Sequence, residues 1–307
     1  MMKVLVAEDD LTSRTIITAI LKKWGYGVEV ATDGHQALEM LNKPGAPKLA
    51  LLDWSMPGLS GIEVCEKLRK DHRNDTVYII ILTSKGEKEN IVKGLDSGAN
   101  DYIVKPYNND ELHARIKVGR RMIEIQSELE AAKNALIHEA LHDSLTGVLN
   151  RRAIITSLNK ELSRIRRNNS SLCIGMCDLD HFKKINDKYG HQTGDDVLIE
   201  FTKIVRNNLR EYDIIGRYGG EEFLILTPEC EDSCYETVFQ RLCDAVAESK
   251  ISTRSGDLSI TVSIGVAYAT GESKVDELLS KADAALYEAK GLSRNRVCFA
   301  DAACEIS

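Results

Sequence analysis

Residues 213–227 read DIIGRYGGEEFLILT, two short apolar runs joined by two glycines and two adjacent carboxylates. The pattern predicts a β-hairpin, because a Gly-Gly pair accepts the positive φ angles of a tight turn. Glycine carries no Cβ, so a phosphate can approach the backbone closely. Neighbouring negative charges weaken a turn unless a cation binds them. The hairpin tip at 219–222 therefore predicts a functional site on a strand pair.

Two further strand-like segments belong to the same half of the chain. Residues 171–180 (SLCIGMCDLD) form an apolar run that ends in acids, and residues 258–269 (LSITVSIGVAYA) form a third long strand. Helix-like stretches lie between these segments. This order favours an α+β domain over residues 142–307, with a ferredoxin-like antiparallel sheet and helices on one face.

The first third of the chain follows a different pattern. Between residues 1 and 107, short apolar runs alternate with amphipathic helical stretches, and the strand candidates are KVLVA, GVEVA, LALLD, VYIIILT and DYIVK. Strands separated by helices imply right-handed crossovers. The sequence therefore predicts an α/β domain with a doubly wound, parallel five-stranded sheet of the flavodoxin-like type.

Polar residues collect at the carboxyl ends of these predicted strands, where such sheets bind ligands. They are Glu8, Asp9, Asp53, Thr83 and Lys105. Carboxylates suit Mg²⁺, and an aspartate beside the metal can attack a phosphoryl donor to form an acyl phosphate. The lysine and the threonine would hold the new phosphoryl oxygens. The alternative is a flavodoxin-like domain whose acids are incidental surface residues.

The segments VAEDD, LLDWSMPGLSG, ILTS and DYIVKP resemble, in this order, the receiver domain of two-component response regulators. The resemblance implies Asp53 as the phospho-acceptor, with one Mg²⁺ bound directly by Asp9 and through water by Glu8. It implies a cognate histidine kinase or phosphotransfer protein as the phosphate source. It also implies a switch pair, a phosphate contact and a cis proline, which are Thr83 with Tyr102, Lys105 and Pro106.

Residues 108–141 contain no strand signal, no proline and a single glycine, Gly119. Apolar side chains recur at alternating steps of four and three, at Val118, Met122, Ile125, Leu129, Ala132 and Leu136. This heptad seam continues out of the last helix of the first domain and is typical of a coiled coil. Its length of about 45 Å favours a stalk paired with a second chain, hence a homodimer through receiver and stalk. The alternative is a helix packed on its own domain.

The carboxylates of the hairpin need a cation, and further acids lie at the end of a neighbouring strand segment, at Asp178 and Asp180. Asp178 and Glu221 together could hold one or two Mg²⁺ ions on a triphosphate, activating the attacking oxygen and steadying the leaving group. Basic groups for the outer phosphates follow at Lys290 and Arg294, one helical turn apart. The hairpin is therefore interpreted as a metal and phosphate site.

Three blocks, MCDLDHFKKINDKYGHQTGDD, RYGGEEF and KADAALYEAKGLSRN, resemble in order the signatures of the GGDEF diguanylate cyclases. These enzymes condense two GTP molecules into cyclic di-GMP and release two pyrophosphates, and each subunit of a dimer presents one GTP. The resemblance implies two Mg²⁺ ions at each GTP site. The third motif letter is Glu here rather than Asp, a change that keeps the carboxylate.

Residue roles follow from this resemblance. Asp178 and Glu221 become catalytic metal ligands, assisted by the Leu179 carbonyl. Glu222 helps to deprotonate the attacking 3′-hydroxyl, with a structural or metal role as the alternative. The residues implied in GTP binding are Gly219 and Gly220 in the turn, Phe182 and Lys183 near the phosphates, Asn186 and Asp195 at the guanine edge, and Lys290 and Arg294 at the terminal phosphates.

The segment REYD at 210–213 lies upstream of the hairpin, with its acid six residues before the first glycine of the motif. At this offset it resembles the inhibitory product site of the family. Arg210 would contact guanine or phosphate, and Asp213 would bind the guanine edge. Arg241 matches by position an arginine that completes this site from a neighbouring domain. The alternative is a solvated ion pair at a helix end.

Bulk composition disfavours several other classes. The formal net charge is −7 and the basic run RIRRNN is short, which disfavours a nucleic-acid partner. No segment approaches the roughly 20 apolar residues of a membrane span, and the start MMKVLVAEDD lacks a signal-peptide pattern. We expect a cytoplasmic protein without a membrane partner. The eight cysteines show no metal spacing and are expected to be reduced.

The sequence thus predicts a response regulator that synthesises cyclic di-GMP, is activated by phosphorylation of Asp53 and is inhibited by its product. The main alternative is a non-catalytic receptor that senses cyclic di-GMP through Arg210 and Asp213. Such members usually have damaged hairpin motifs, whereas this chain has every expected catalytic side chain. A DNA-binding regulator is disfavoured because no basic helix-turn-helix pattern follows the first domain, and no segment here suits a phosphodiesterase.

Overall fold

The computed structural model describes residues 1–70, 76–84, 96–168, 170–228, 235–269 and 271–300. They form two compact units, Met1–Asn134 and Ala135–Ser307. Among the described helices, none combines the length and apolar character that crossing a bilayer requires. Free thiols occur at Cys65, Cys173, Cys177, Cys243 and Cys298. The predictions for Cys230, Cys234 and Cys304 lie outside the described residues.

The first unit is built on a five-stranded sheet in the order β2-β1-β3-β4-β5, in which every pair is parallel. Its strands are β1 Lys3–Ala7, β2 Gly27–Ala31, β3 Leu49–Asp53, β4 Tyr78–Thr83 and β5 Asp101–Val104. All residues of β3 are buried, as expected for a parallel strand covered on both faces. The strand order is that of flavodoxin-like sheets, so the predicted fold of this unit is confirmed.

Helices cover both faces of this sheet. They are α1 Leu11–Lys23, α2 Gly34–Leu41, α3 Gly61–Lys70 and the start of α4 Asn109–Leu141. One core cluster joins the sheet to α2 and α3, and the other joins it to α1 and α4. Asp10 and Asp33 accept hydrogen bonds from backbone N–H groups in the first turns of α1 and α2. These caps satisfy N–H groups that a helix start leaves unpaired.

Helix α4 has 33 residues and changes character along its length. Its first turns bury Leu112 and Ile116 in the core of the first unit. A Cβ on Gly119 would lie 2.7 Å from Leu49 Cδ1, so the glycine permits this close packing. Beyond these turns the predicted seam is 49–67% exposed at Val118, Met122, Ile125, Leu129 and Leu136.

The second unit contains a five-stranded sheet in the order β12-β11-β6-β8-β7. All neighbouring strands are antiparallel except the edge pair β11 and β12. The strands are β6 Leu172–Leu179, β7 Ile214–Gly219, β8 Glu222–Pro228, β11 Val262–Ala269 and β12 Val297–Phe299. The hairpin predicted at 213–227 is the pair β7–β8, and the predicted α+β class of this unit is confirmed.

Within the described residues of the second unit there are five further helices: α5 Arg151–Asn168, α6 Phe182–Tyr189, α7 His191–Asn208, α8 Tyr235–Glu248 and α9 Val275–Gly291. The expectation of helices on one face is wrong. Core clusters place α7 and α8 on one face of the sheet and α5 and α9 on the other. The physical reason is that β6 buries all eight of its residues, so both of its faces need cover.

The predicted strand at 258–269 is also shorter than expected. Leu258 belongs to a separate two-stranded hairpin of β9 Ile251–Thr253 and β10 Gly256–Leu258, and β11 begins only at Val262. Gly256 has a φ of +103°, a conformation that favours glycine and lets the chain turn back on itself. This β9–β10 hairpin contacts α7 rather than extending the five-stranded sheet.

Candidate functional site

Three acidic side chains meet at the carboxyl ends of β1 and β3. Glu8 and Asp9 follow β1, Asp53 ends β3, and one oxygen from each lies within 4.8 Å of the others. Glu8 is 1% exposed and Asp53 is 7% exposed, whereas Asp9 faces solvent. Carboxylate oxygens at this spacing suit a hard divalent cation, so the residues present fit the Mg²⁺ ion that the sequence predicts.

Lys105 joins two of these acids. Its Nζ lies 2.7 Å from Glu8 Oε2 and 2.7 Å from Asp53 Oδ1, and its peptide bond to Pro106 is cis, as predicted. Burial raises the pKa of Glu8, the hydrogen bond from Lys105 opposes that rise, and the charge of Asp53 adds to it. Burial alone would lower the pKa of Lys105, but its bonds to Asp53 and Glu8 raise it. The ammonium therefore bonds both buried acids at once, but at Glu8 it offsets the effect of burial only in part.

The predicted switch residues, Thr83 and Tyr102, lie on adjacent strands. Thr83 ends β4, is buried, and its carbonyl accepts a hydrogen bond from the Lys105 N–H at 2.7 Å. Because Asp53 pairs with Leu82 of the same strand, Thr83 lies at the edge that carries the acids. Tyr102 is half-buried and packs against the core on the α2 and α3 side. The structure thus places Thr83 beside the acids and Tyr102 partly inside the core.

In the second unit, the hairpin brings its acids to the end of β6. Strands β6 and β8 pair so that Glu222 lies opposite Asp178, and the Leu179 N–H donates to the Glu221 carbonyl at 3.3 Å. Asp178 is 7% exposed, and both glutamates are partly exposed. The structure therefore brings the three predicted catalytic acids together at one edge of the sheet.

Lys290, near the end of α9, is the cationic partner at this edge. Its Nζ lies 2.8 Å from Asp178 Oδ2. Burial raises the pKa of Asp178, with Lys290 opposing the rise. Burial also raises the pKa of Glu221, and the charge of Asp178 adds to that effect. Two carboxylates that disfavour each other's charge gain from a shared cation, so this donor set fits Mg²⁺ as well.

Arg217 holds the glycine turn from its β7 side. Its Nε donates to the Gly220 carbonyl at 2.9 Å, and its Nη1 lies 3.1 and 3.3 Å from the two carboxylate oxygens of Asp143. The strand ladder shifts register between Arg217 and Gly219, and a Cβ on Gly219 would lie 3.2 Å from Glu222 Oε2. Arg217 thus ties the turn to the segment just after α4, a link that the sequence interpretation missed.

Asp180, directly after β6, has a different task from Asp178. It is 5% exposed and accepts hydrogen bonds from Thr261 Oγ1, Ser263 Oγ and the Asn295 N–H at 2.7, 2.7 and 3.0 Å. The Asp180 carboxylate thus makes these three hydrogen bonds with other groups of the protein. The sequence interpretation counted Asp180 only as a nearby acid. Its partners are far away in the chain, and no local signal could have identified them.

The loop that Asp180 anchors carries Arg294. Ser293, Arg294 and Asn295 have φ angles of +89°, +63° and +47°, which non-glycine residues adopt uncommonly. Such a conformation persists only where surrounding contacts impose it. The bonds from the Asn295 N–H to Asp180 and from the Arg294 N–H to the Ala289 carbonyl are contacts of that kind. Asp180 is therefore a positioning residue for the loop of Arg294.

The residues predicted for the guanine end lie on α6 and α7. Phe182 is buried in the core, and Lys183 and Asp195 are exposed. The Oδ1 atom of Asn186 is buried and, among the described residues, has no hydrogen-bond partner. A Cβ on Gly194 would lie 1.9 Å from that oxygen, so any larger residue there would displace the Asn186 amide. A buried polar atom without a partner is costly and indicates a ligand position.

The predicted product-site residues also come together. The Arg210 N–H donates to Asp213 Oδ2 at 2.8 Å, and Arg210 Nη1 donates to Tyr212 Oη at 2.8 Å. Burial raises the pKa of Asp213, and the positive charges of Arg210 and Arg241 oppose it. Arg241 Nη2 donates to the Asn208 carbonyl and borders a cavity of about 770 Å³. The two arginines thus act on the same carboxyl group.

Comparison with known families agrees with this geometry. The sequence pattern of the family described as diguanylate cyclase, GGDEF domain, matches residues 140–296, and that of the response regulator receiver domain matches residues 4–117. The chain belongs to the GGDEF family and carries a receiver domain before it. The sequence interpretation of both domain types is therefore confirmed.

Individual relatives share one or both parts. The response regulator PleD of Caulobacter vibrioides is 30% identical over 305 residues, covering 96% of this chain and 65% of that protein. The diguanylate cyclase DgcP of Pseudomonas aeruginosa is 38% identical over 159 residues, covering 52% of this chain and 24% of that protein. This chain thus spans less than two thirds of either relative.

A solved structure resembles a large part of the chain. The coiled coil and GGDEF domain of DgcB from Caulobacter crescentus, in complex with c-di-GMP, is 30% identical with a TM-score of 0.56. The similarity covers 62% of this chain and 99% of that one.

Proposed function

We propose that this protein is a response regulator that condenses two GTP molecules into cyclic di-GMP. The observation that carries the proposal is the meeting of Asp178, Glu221, Glu222 and Lys290 at one sheet edge beside a Gly-Gly turn. Acids there suit a metal, an ammonium suits phosphate, and the turn leaves room for a triphosphate. The relatives named as diguanylate cyclases support the same reaction.

The reaction consists of two equivalent transfers. In each, the 3′-oxygen of one GTP forms a bond to the α-phosphorus of the other, and the bond from that phosphorus to the bridging oxygen breaks. Pyrophosphate leaves, and the proton of the 3′-hydroxyl passes to a base, for which we propose the Glu222 carboxylate. After both transfers the product is cyclic di-GMP with two pyrophosphates.

The remaining groups position the triphosphate. Asp178, Glu221 and the Leu179 carbonyl would hold two Mg²⁺ ions. When bound, these supply Lewis-acid stabilisation of the attacking oxygen and the leaving group. Lys290 and Arg294 would hold the terminal phosphates, and release of Lys290 from Asp178 would free its ammonium for this task. Phe182 and Lys183 lie at the start of α6, where backbone N–H groups favour an anion.

Guanine recognition is assigned to Asn186 and Asp195. Asn186 Oδ1, which has no partner within the described ranges, can accept a hydrogen bond from the base, and the exposed Asp195 carboxylate can accept from the N–H groups of its edge. Adenine presents no such pair of donors there.

Two chains are needed because each presents one GTP. The exposed apolar seam of α4 supports pairing with a second copy, since isolated apolar stripes at heptad spacing associate in water. We propose a homodimer formed through the receiver and the stalk. Phosphorylation of Asp53 by a cognate kinase or phosphotransfer protein, with one Mg²⁺ held by Glu8, Asp9 and Asp53, would change how the receivers pair.

Product inhibition is the third part of the proposal. Cyclic di-GMP would bind Arg210, Asp213 and Arg241, where a guanidinium and a half-buried carboxylate can take phosphate and a guanine edge. Binding there would hold the catalytic domains away from each other.

Turnover tests the proposal directly. Purified protein receives GTP and Mg²⁺, with and without beryllofluoride as an acyl-phosphate mimic, while pyrophosphate and cyclic dinucleotide are quantified. We expect product that increases with the mimic and an inhibition that weakens in Arg210→Ala. No product in either state, with tight binding of cyclic di-GMP retained, would identify a receptor and contradict the enzyme.

A further inference from the structure

The β9–β10 hairpin is tied to the start of α7 through Arg254 at its tip. Arg254 Nε and Nη2 lie 2.8 and 2.9 Å from the two carboxylate oxygens of Asp196, and the Arg254 N–H adds a third bond at 3.1 Å. Arg254 Nη1 donates to Gln192 Oε1 at 2.7 Å. A planar guanidinium that engages both oxygens of a carboxylate fixes orientation as well as distance.

A neighbouring contact repeats the link. Ser255 Oγ and Thr193 Oγ1 are 2.8 Å apart, and Thr193 is fully buried. The hydrogen bonds from Arg254 hold the pKa of Asp196 at about 2, well below its usual range. The hairpin tip therefore bonds α7 at Gln192, Thr193 and Asp196, all in the first two turns of the helix.

These same turns carry the residues assigned to guanine. Gly194 and Asp195 lie between Thr193 and Asp196, and the absence of a Cβ at Gly194 leaves space for Asn186 Oδ1. That oxygen is nearly without solvent contact and, in the described part of the chain, unpartnered. Asp195 also acts electrostatically on Arg254, so the two side chains are close. A shift of this helix start would move Asp195 relative to Asn186.

We propose that Arg254 is a positioning residue for guanine specificity, holding the first two turns of α7 so that Asp195 and Asn186 meet the base edge together. It does not touch the nucleotide; it acts through Asp196 and Gln192. This inference rests on the proposed function, because it assumes that GTP binds between α6 and α7. It assigns the β9–β10 hairpin, which lies outside the catalytic sheet, a role in choosing the substrate.

The test compares Arg254→Ala and Arg254→Lys with the wild type, using GTP and ITP. ITP lacks the 2-amino group of guanine and so reports on contacts to that edge. In Arg254→Ala we expect the KM for GTP to rise roughly tenfold with kcat nearly unchanged, and the preference for GTP over ITP to fall towards one. Arg254→Lys keeps the positive charge but cannot bond both oxygens of Asp196 with a planar guanidinium. It should give an intermediate preference for GTP over ITP.

Lys203→Gln provides the matched control. Lys203 lies on the same helix and forms an exposed ion pair with Glu200 at 2.6 Å, but it lies about two turns beyond Asp196, the last residue that the hairpin bonds. It should leave both KM and the GTP preference at wild-type values. Thermal unfolding midpoints of all variants show whether a change reflects loss of folding instead.

Binding titrations separate this inference from the proposed function. GTP and ITP are titrated into Glu222→Gln with and without Arg254→Ala, so that neither is consumed. Reduced discrimination in the double variant supports the inference even if the wild type makes no cyclic di-GMP, a result that would overturn only the proposed reaction. Unchanged KM and discrimination, or a loss confined to kcat, would overturn the role of Arg254. Absence of GTP binding would overturn both.

Discussion

The acid cluster of the receiver and the acid edge of the GGDEF unit use the same kinds of side chain in different arrangements. In the receiver, Lys105 lies 2.7 Å from both Glu8 and Asp53, so one ammonium bridges two buried acids. In the GGDEF unit, the contact of Lys290 at 2.8 Å is with Asp178, while Glu221 stands on the open hairpin.

The difference follows from the backbone that carries the acids. The receiver acids extend from the ends of parallel strands that helices cover, so they form a compact site that suits the single cation and phosphoryl group proposed for it. In the GGDEF unit, Glu221 and Glu222 lie on a hairpin whose Gly-Gly tip adds little bulk, and Asp178 lies opposite on β6, so the triphosphate of the proposed substrate would have room. The first arrangement suits a switch and the second suits turnover, and the following experiments test that contrast.

The largest effect is expected at the open hairpin. Glu222→Gln removes the proposed base while keeping size and polarity, and we expect kcat to fall by about 10²–10⁴-fold. GTP binding by titration should persist, because the phosphate and base contacts remain. Glu272→Gln, at an exposed position outside the hairpin, is the control. Near-normal turnover in Glu222→Gln would assign this carboxylate a structural role instead.

The second-largest effect is expected at the acid cluster of the receiver. Asp53→Asn should abolish the increase of cyclic di-GMP synthesis on adding beryllofluoride, because the mimic needs the Asp53 carboxylate as its ligand. The ratio of rates with and without the mimic should become one. Asp110→Asn, an exposed acid in the first turn of α4, should respond as the wild type does. A retained response in Asp53→Asn would contradict the phospho-switch.

Asp180 distinguishes positioning from metal binding within the open site. In Asp180→Asn, one carboxylate oxygen becomes an amide NH2 group and can no longer accept, so the Asn295 N–H and the Thr261 and Ser263 hydroxyls compete for a single oxygen. We expect the KM for GTP to rise roughly tenfold. The dependence of rate on Mg²⁺ concentration should keep its midpoint. Asp178→Asn should shift that midpoint strongly, so an equal shift in both variants would make Asp180 a metal ligand.

The smallest expected effect is on the stability of the receiver. The direction of the Glu8 pKa shift determines whether the protein gains or loses stability. The raised pKa of Glu8 means that the folded state binds its proton more tightly than the unfolded state. This contribution is present at low pH and is lost as pH rises through the folded pKa, which lies above 4.5. At pH 7 the buried charge is therefore a cost that Glu8→Gln removes.

We expect Glu8→Gln to raise the unfolding midpoint at pH 7 by roughly 2–4 °C in EDTA. At pH 4 the two proteins should differ little, since Glu8 is then largely protonated in the wild type. Added Mg²⁺ should stabilise the wild type more than the variant. A lower midpoint for the variant at pH 7 would show that the ion pair with Lys105 outweighs the cost of burial.

Most of the fold could be predicted from local sequence patterns. The receiver strands, the stalk helix and the β7–β8 hairpin each have a distinct period or turn signal. The hairpin β9–β10 was missed because its strands have three residues each and little apolar content. The second helical face was missed because burial of β6 on both sides depends on which helices return to it.

The candidate site divides in the same way. Acids and lysines at strand ends could be found from sequence, since strand order alone brings them together. The roles of Asp180, Arg217 and Arg254 depend on partners 81–115, 74 and 58–62 residues away, respectively. A single sequence contains no period or spacing that reports such pairs.

The bridge made by Arg217 has a consequence for local opening of the molecule. One guanidinium holds both the Gly220 carbonyl and Asp143, and Asn150 bonds the Leu141 and Ala140 carbonyls at the end of α4. Segments joined this way break their hydrogen bonds together rather than singly. Amide hydrogen exchange should therefore report the catalytic turn and the end of α4 as one cooperative unit, and Arg217→Ala should divide it into two with separate exchange rates.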